Sequence, residues 1–208
     1  MPTESESLRA SVERLISMAS PPLSDGSVPA DHALQSLLGR RNGFYAFVSA
    51  LHVFPLVGSD PGRSNAEWNR PDSWRASYPD IDPGATAFAE DVFGNQFIFG
   101  DSGVQMFDPE TSELETLCET IPEWCDQILN DAEYLTGFPL AQEWQQANGS
   151  IPAGSRLVPV TPFVLGGEFA CSNLIVMDAL KAMEHRAELA RKIQNLPDGS
   201  KIVLKVDG

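Results

Sequence analysis

The run FAEDVFGNQFIFGDSGVQMFD, residues 88–108, is broken first at Gly94-Asn95 and again at Asp101-Ser102-Gly103, residues that tolerate the positive φ of tight turns. Short apolar runs over 88–93, 96–99 and 104–108 lie between and beside the breaks. This punctuation restricts the segment to an antiparallel meander, because only antiparallel neighbours can be joined by connections so short. Asp108-Pro109-Glu110-Thr111 makes another turn, and ELETLCE reads as a further strand. Its alternation sends Glu113, Glu115 and Glu119 one way and Leu114 and Cys118 the other.

Immediately afterwards Thr120 and Glu123 form a capping box with Pro122 inside the first turn. Ile121, Trp124, Cys125, Ile128 and Leu129 then share one helical stripe. Laid across the meander, that helix buries Trp124, Ile128 and Leu129 against Phe97, Phe99 and Met106. The fold class expected is α+β, an antiparallel meander sheet covered by helices on one face, with a C-terminal helix-strand extension.

The remaining elements are read more coarsely. Leu8, Val12, Leu15, Ile16 and Ala19 recur at helical spacing behind Ser7 as N-cap, and Pro21-Pro22 ends the run. Asp31 caps a short helix with Ala33, Leu34, Leu37 and Leu38 inward, Asn42-Gly43 turns into one or two strands, and a helix is placed near 65–76. After Gly137 come a helix around 140–147, strand-like RLVPVTPFVL, and LIVM as a buried strand. A helix follows Asp178 with Leu180, Met183, Ala187, Ala190 and Ile193 inward, and Lys181, Glu184, Arg186, Glu188, Arg191 and Lys192 off the stripe. LPDG then turns into a last strand, KIVLKV. A core over 1–137 and an extension over 138–208 packed on it follow, since one helix and a short strand hold too little core to stand alone.

Charge is segregated along the chain. Residues 76–155 contain no Lys, Arg or His but 15 of the 29 Asp and Glu, and the other acids balance the 14 Lys and Arg, so the formal charge of −15 sits in that segment. Such a surface argues against nucleic acid as a ligand, because phosphate binding rests on Lys and Arg, and favours a basic partner. No apolar run suffices to cross a bilayer, and the start lacks the basic-then-apolar pattern of a signal peptide. No membrane association and a cytoplasmic location are therefore expected.

Chemistry-bearing patterns are sparse, and neither a metal nor a cofactor is expected. His32, His52 and His185 fall in three different elements, and Cys118 and Cys125 lack Cys-x-x-Cys spacing and read as core residues. Glu90, Asp91 and Asp101 read as turn and strand-end residues on solvated turns. Gly166-Gly167-Glu168 lacks the other glycines of a dinucleotide fingerprint and the Lys of a P-loop, which leaves a turn or bulge. The enzyme-like option is a pocket built from Glu168 and Asn173.

In order and motif the chain resembles the SUKH superfamily, which takes in fungal Smi/Knr-type regulators and many bacterial immunity proteins. LLGRRNGFYAF, FAEDVFGNQFIFGDSGVQMFD and TIPEWCDQIL carry the resemblance, over roughly 8–134. It implies a non-catalytic protein that binds and neutralises a cognate toxin. Joined to the charge pattern, this places a basic toxin, a nuclease being one candidate, on Glu110, Glu113, Glu115, Glu119, Glu123 and Asp126, with Phe107 and Leu117 as exposed apolar anchors. A Smi/Knr-type regulatory or scaffolding adaptor, and a hydrolase or transferase using Glu168 and Asn173, are the alternatives.

Overall fold

A computed structural model describes residues 3–58 and 63–193. Strands β1 (Phe44–Ala46), β2 (Leu51–Val53), β3 (Thr86–Glu90), β4 (Gln96–Gly100), β5 (Gly103–Asp108) and β6 (Glu113–Cys118) form one sheet in strict chain order. Every pairing is antiparallel. The turns work as the sequence suggests: Gly94 and Gly103 adopt φ of 81° and 80°. A Cβ at Gly103 would meet the Cys118 carbonyl oxygen at 2.3 Å, so that position excludes any side chain on two counts.

The helices are α1 (Glu4–Ser17), α2 (Gln35–Leu38), α3 (Asn65–Trp68), α4 (Ile121–Asn130), α5 (Ala132–Thr136), α6 (Phe138–Asn148) and α7 (Ala179–Ile193). One sheet face is covered by Val12, Leu15 and Ile16 of α1, Leu37 and Leu38 of α2, and Trp124, Cys125 and Ile128 of α4, packed on Phe88, Phe97 and Val104. Phe97 lies buried under Trp124 as expected, while Phe99, Met106 and Leu129 are half-buried at the margin of this layer.

The α+β class and the meander match expectation, but the cover extends further. Ile98 and Phe107 project to the opposite face, where Phe54, Trp68, Trp74, Tyr78 and the Ala179, Met183, Ala187 and Ala190 side of α7 close a second layer. The long β2–β3 connection supplies these aromatics. Pro71 divides it, so the single helix expected near 65–76 becomes α3 and a separate 3-10 turn at Trp74–Ser77.

Two helix starts differ from the reading above. Thr3, with Glu6, forms the capping box of α1, so the helix begins ahead of Ser7. α2 begins at Gln35, and Asp31 does not cap it.

Residues 138–193 pack onto the core. Strands β7 (Ser155–Pro159) and β8 (Leu174–Asp178) make a separate hairpin, and Leu157 N donates to Val92 O at 2.9 Å. Ala141 and Trp144 of α6, with Leu157 and Leu174, bury Ala50, Val92 and Phe93. LIVM is only partly enclosed, with Ile175 46% exposed. Arg186, expected off the α7 stripe, is buried within it. The LPDG turn and the KIVLKV strand lie outside the described residues. Among the described residues no helix is long and apolar enough to cross a membrane.

Candidate binding site

Among the described residues β6 is the last strand of the sheet, and its side chains are set by pairing with β5 alone. Met106 faces Glu115 and Asp108 faces Glu113 across the ladder, which puts each pair on one face. Glu113 and Glu115 are exposed, as is Glu119 beyond the strand end. The register slips between Val104 and Gln105, whose partners are Cys118 and Thr116, and Leu117 is the extra residue. The bulge turns Leu117 half-buried against the α4 layer, so it is not the exposed anchor expected.

Two further expected contacts leave the surface. Phe107 is 1% exposed, wedged edge-on to Tyr78 at 4.9 Å and beside Trp74, because the β2–β3 connection covers the face it was assumed to leave open. Glu110 is buried, with Oε2 accepting from Val164 N at 3.0 Å. Glu123 is half-buried and spends Oε2 on Glu119 N and Thr120 N, while Asp126 accepts from Ser11 Oγ at 2.6 Å and Asn130 Nδ2 at 2.9 Å. The freely exposed acidic edge is thus Glu113, Glu115 and Glu119.

The same face of β5 runs into a cavity of about 530 Å³. Met106, Asp108 and Glu110 line it from the sheet side, Asp91 and Phe93 from the β3–β4 turn, Glu133 and Tyr134 from α5, Phe163 and Phe169 from the β7–β8 loop, and Arg186 from α7. Phe163 and Phe169 stack at 3.9 Å, with Phe93 edge-on to both. Phe169 is 68% exposed and Tyr134 65%, a large apolar exposure at the cavity mouth. Arg186 donates to Phe93 O at 2.6 Å and Ala182 O at 3.2 Å.

Asp91 accepts from Phe93 N, Asn95 N and Asn95 Nδ2, each at 2.8 Å, and burial nevertheless pushes its carboxyl up to about 7. Burial also raises Glu110 above the ordinary carboxyl range. The chain signal for Arg186 is its spacing three after Met183, on the buried stripe, and its charge conceals that signal. Asp91, Tyr134 and the two stacked phenylalanines carried no signal in spacing.

Beside the cavity, and outside its lining, Glu90 centres a buried network. Its Oε1 lies 2.7 Å from Arg156 Nη2 and 3.1 Å from His52 Nδ1, and Gln96 Nε2 donates to its Oε2 at 3.3 Å. Trp68 Nε1 donates to Gln96 Oε1 at 2.7 Å. Glu90 and Asp91 are each 1% exposed, so the solvated-turn reading holds for Asp101 and fails for these two. Burial alone would raise Glu90, but Arg156, His52 and Gln96 outweigh it and hold the carboxyl below its usual range. His52 is pushed down to about 4, first by burial and then, against the pull of Glu90, by Arg156.

The two perturbed groups oppose each other in acid stability. His52 is harder to protonate folded than unfolded, so its contribution is lost as pH falls from 6.5 toward about 4. Asp91 holds its proton more tightly folded than unfolded, so its contribution is lost as pH rises from 3.8 toward about 7. Removing Asp91 should therefore unmask the histidine: urea midpoints of Asp91→Asn should climb with pH from about 4 to 6.5 more steeply than those of the parent. Parallel pH profiles would contradict the assignment.

The remaining candidates resolve into structure. Asn173 Nδ2 donates to Thr161 O and Glu168 O, both at 3.0 Å, and Asn173 Oδ1 accepts from Thr161 N at 2.8 Å, so its amide is spent holding the loop. Gly166 has φ of 86°, and a Cβ at Gly167 would lie 1.9 Å from Thr161 O, which is the turn that Gly166-Gly167-Glu168 was read as. Glu168 points into solvent. Burial pushes Cys125 up to about 12 and Cys118 to about 11, both inert thiols. Among the described residues no group of His, Cys, Asp and Glu is placed to hold a metal ion.

Fold and site together define, among the described residues, an α+β protein whose outermost strand is acidic and whose neighbouring strand β5 borders an aromatic-walled cavity. No family model matches the chain, and no curated protein matches it. Atu4351 from Agrobacterium tumefaciens, a solved crystal structure, is similar in fold with a TM-score of 0.55 at 13% identity, over 85% of this chain and 88% of that one.

Proposed function

We propose that this chain is a non-catalytic toxin-immunity protein of the SUKH kind, which binds and neutralises a cognate toxin with a basic surface. The observation that carries this reading is the exposed edge Glu113, Glu115 and Glu119, set in the base-free segment 76–155. Arg156, the first cation after that segment, and Arg186 of α7 are buried and engaged with Glu90 and Phe93 O, so these two do not offset the edge at the surface. Crowded like charges destabilise a folded chain, whereas a field of one sign speeds encounter with an opposite one by ~10 to 10³-fold. Tyr134 and Phe169 take the anchoring role that Phe107 and Leu117 cannot fill.

The test needs a candidate partner, and the immunity reading expects one: the basic C-terminal domain of a large secreted protein whose gene lies immediately upstream. Stopped-flow association at low salt should slow at least about ten-fold in the triple variant Glu113→Lys, Glu115→Lys, Glu119→Lys, and its salt dependence should flatten. The far-UV spectrum should not change, since these side chains are exposed. Unchanged kinetics would remove the acidic edge from the interface, and the absence of any complex would remove the immunity reading. A Smi/Knr-type adaptor would form the complex yet leave the toxin active, so assaying toxin activity in the complex separates the two.

A further inference from the structure

We infer that the cavity between β5 and the β7–β8 loop is a receptor for one organic cation, an alkylguanidinium or alkylammonium group, with Glu110 as its counter-ion and Phe169 as its aromatic wall. The carboxylates of the cavity are not equivalent. Asp91 is saturated by the N–H groups of its own turn, and Asp108 Oδ1 accepts from Glu110 N at 2.7 Å. Glu110 uses Oε2 to hold Val164 N, and its Oε1 is buried without a donor. A buried acceptor lacking a donor is costly, so the site favours a ligand that brings an N–H.

The sign of that ligand follows from the lining. Among the described residues, Asp91, Asp108, Glu110 and Glu133 face the cavity against a single cation, Arg186, whose guanidinium is bound to Phe93 O and Ala182 O. An anion would meet more carboxylates than it could satisfy. The aromatic geometry agrees: Phe169 spends one ring face on Phe163 at 3.9 Å while remaining 68% exposed, which leaves a π face open at the mouth. A cation over such a face is favoured by the ring quadrupole. The cation has two natural sources, an Arg or Lys side chain of a protein partner or a free amine; only the first rests on the immunity reading.

n-Butylguanidinium and its neutral isostere n-butylurea test the site on the full-length protein, with amide shifts read by NMR at Val164 and neighbouring residues. The guanidinium should bind at least ten-fold more tightly than the urea, and Glu110→Gln, which keeps an acceptor for Val164 N, should abolish that preference. Phe169→Leu should weaken the guanidinium several-fold and leave the urea unchanged, a readout that does not depend on Glu110. Equal affinity of the two probes, no binding of either, or a preference that survives Glu110→Gln would overturn the inference. Saturating butylguanidinium that blocks the toxin complex would assign the cation to the partner chain, and an unhindered complex would assign it to a free amine. Binding of the probe without any toxin complex would leave this site standing while the immunity reading fell.

Discussion

Replacing Arg156 by Met should destabilise the protein by about 3–5 kcal/mol, because it strands the buried carboxylate of Glu90 without its principal cation. His52 remains beside Glu90 at 3.1 Å, and with Arg156 gone it loses a positive neighbour that helps keep it neutral. The loss should therefore be smaller at acid pH, where His52 takes up the charge. Adding Glu90→Gln to the Arg156 variant should recover much of the stability, since a buried ion pair replaced on both sides is often near neutral. Urea denaturation of the two single variants and the double variant measures the coupling. A single variant within about 1 kcal/mol of the parent would show that Glu90 is adequately paired without Arg156.

The second large effect sits on the opposite layer. Trp124 is fully buried, edge-on to Phe88 at 4.9 Å and Phe97 at 5.2 Å, so Trp124→Ala should cost about 3–5 kcal/mol. Its indole N–H is buried without an acceptor, a penalty already present in the parent. Trp124→Phe should therefore cost clearly less than its lost volume suggests, because it removes that orphaned donor along with part of the ring. If Trp124→Ala melted with the parent, or Trp124→Phe lost as much as the alanine variant, the packing described for α4 would be wrong.

What the sequence disclosed was local. Gly94 and Gly103 announced the hairpins because positive φ is a single-residue constraint, and Thr120 and Glu123 announced α4 because a capping box spans one turn. The same signal stands at Thr3 and Glu6, one turn ahead of Ser7. Residues joined across long stretches of chain stayed hidden. Nothing near Glu90 in sequence marks Arg156 as its partner, and by local pattern alone the strand end reads as solvated. Phe107 shares a sheet face with its cross-strand partner Leu114, which is exposed, yet only the distant aromatics Trp74 and Tyr78 decide that Phe107 is covered. The acidic edge was legible as composition, whereas the cavity beside it was not, because its walls come from the β3–β4 turn, α5, α7 and the β7–β8 loop.

The sequential strand order also divides the molecule in time. β3 to β6 are joined by turns of a few residues, so their hairpins close at little entropic cost and belong to the early, fast part of folding. Arg156 reaches Glu90 only after the whole of β4 to α6 has been laid down between them. A contact that closes after the rate-limiting step acts on unfolding alone, so Arg156→Met is expected to raise the unfolding rate far more than it lowers the folding rate, which stopped-flow folding and unfolding in urea would measure. On that outcome the hairpin turns govern how quickly the sheet appears, while Arg156 acts as a latch that governs how long the finished molecule persists.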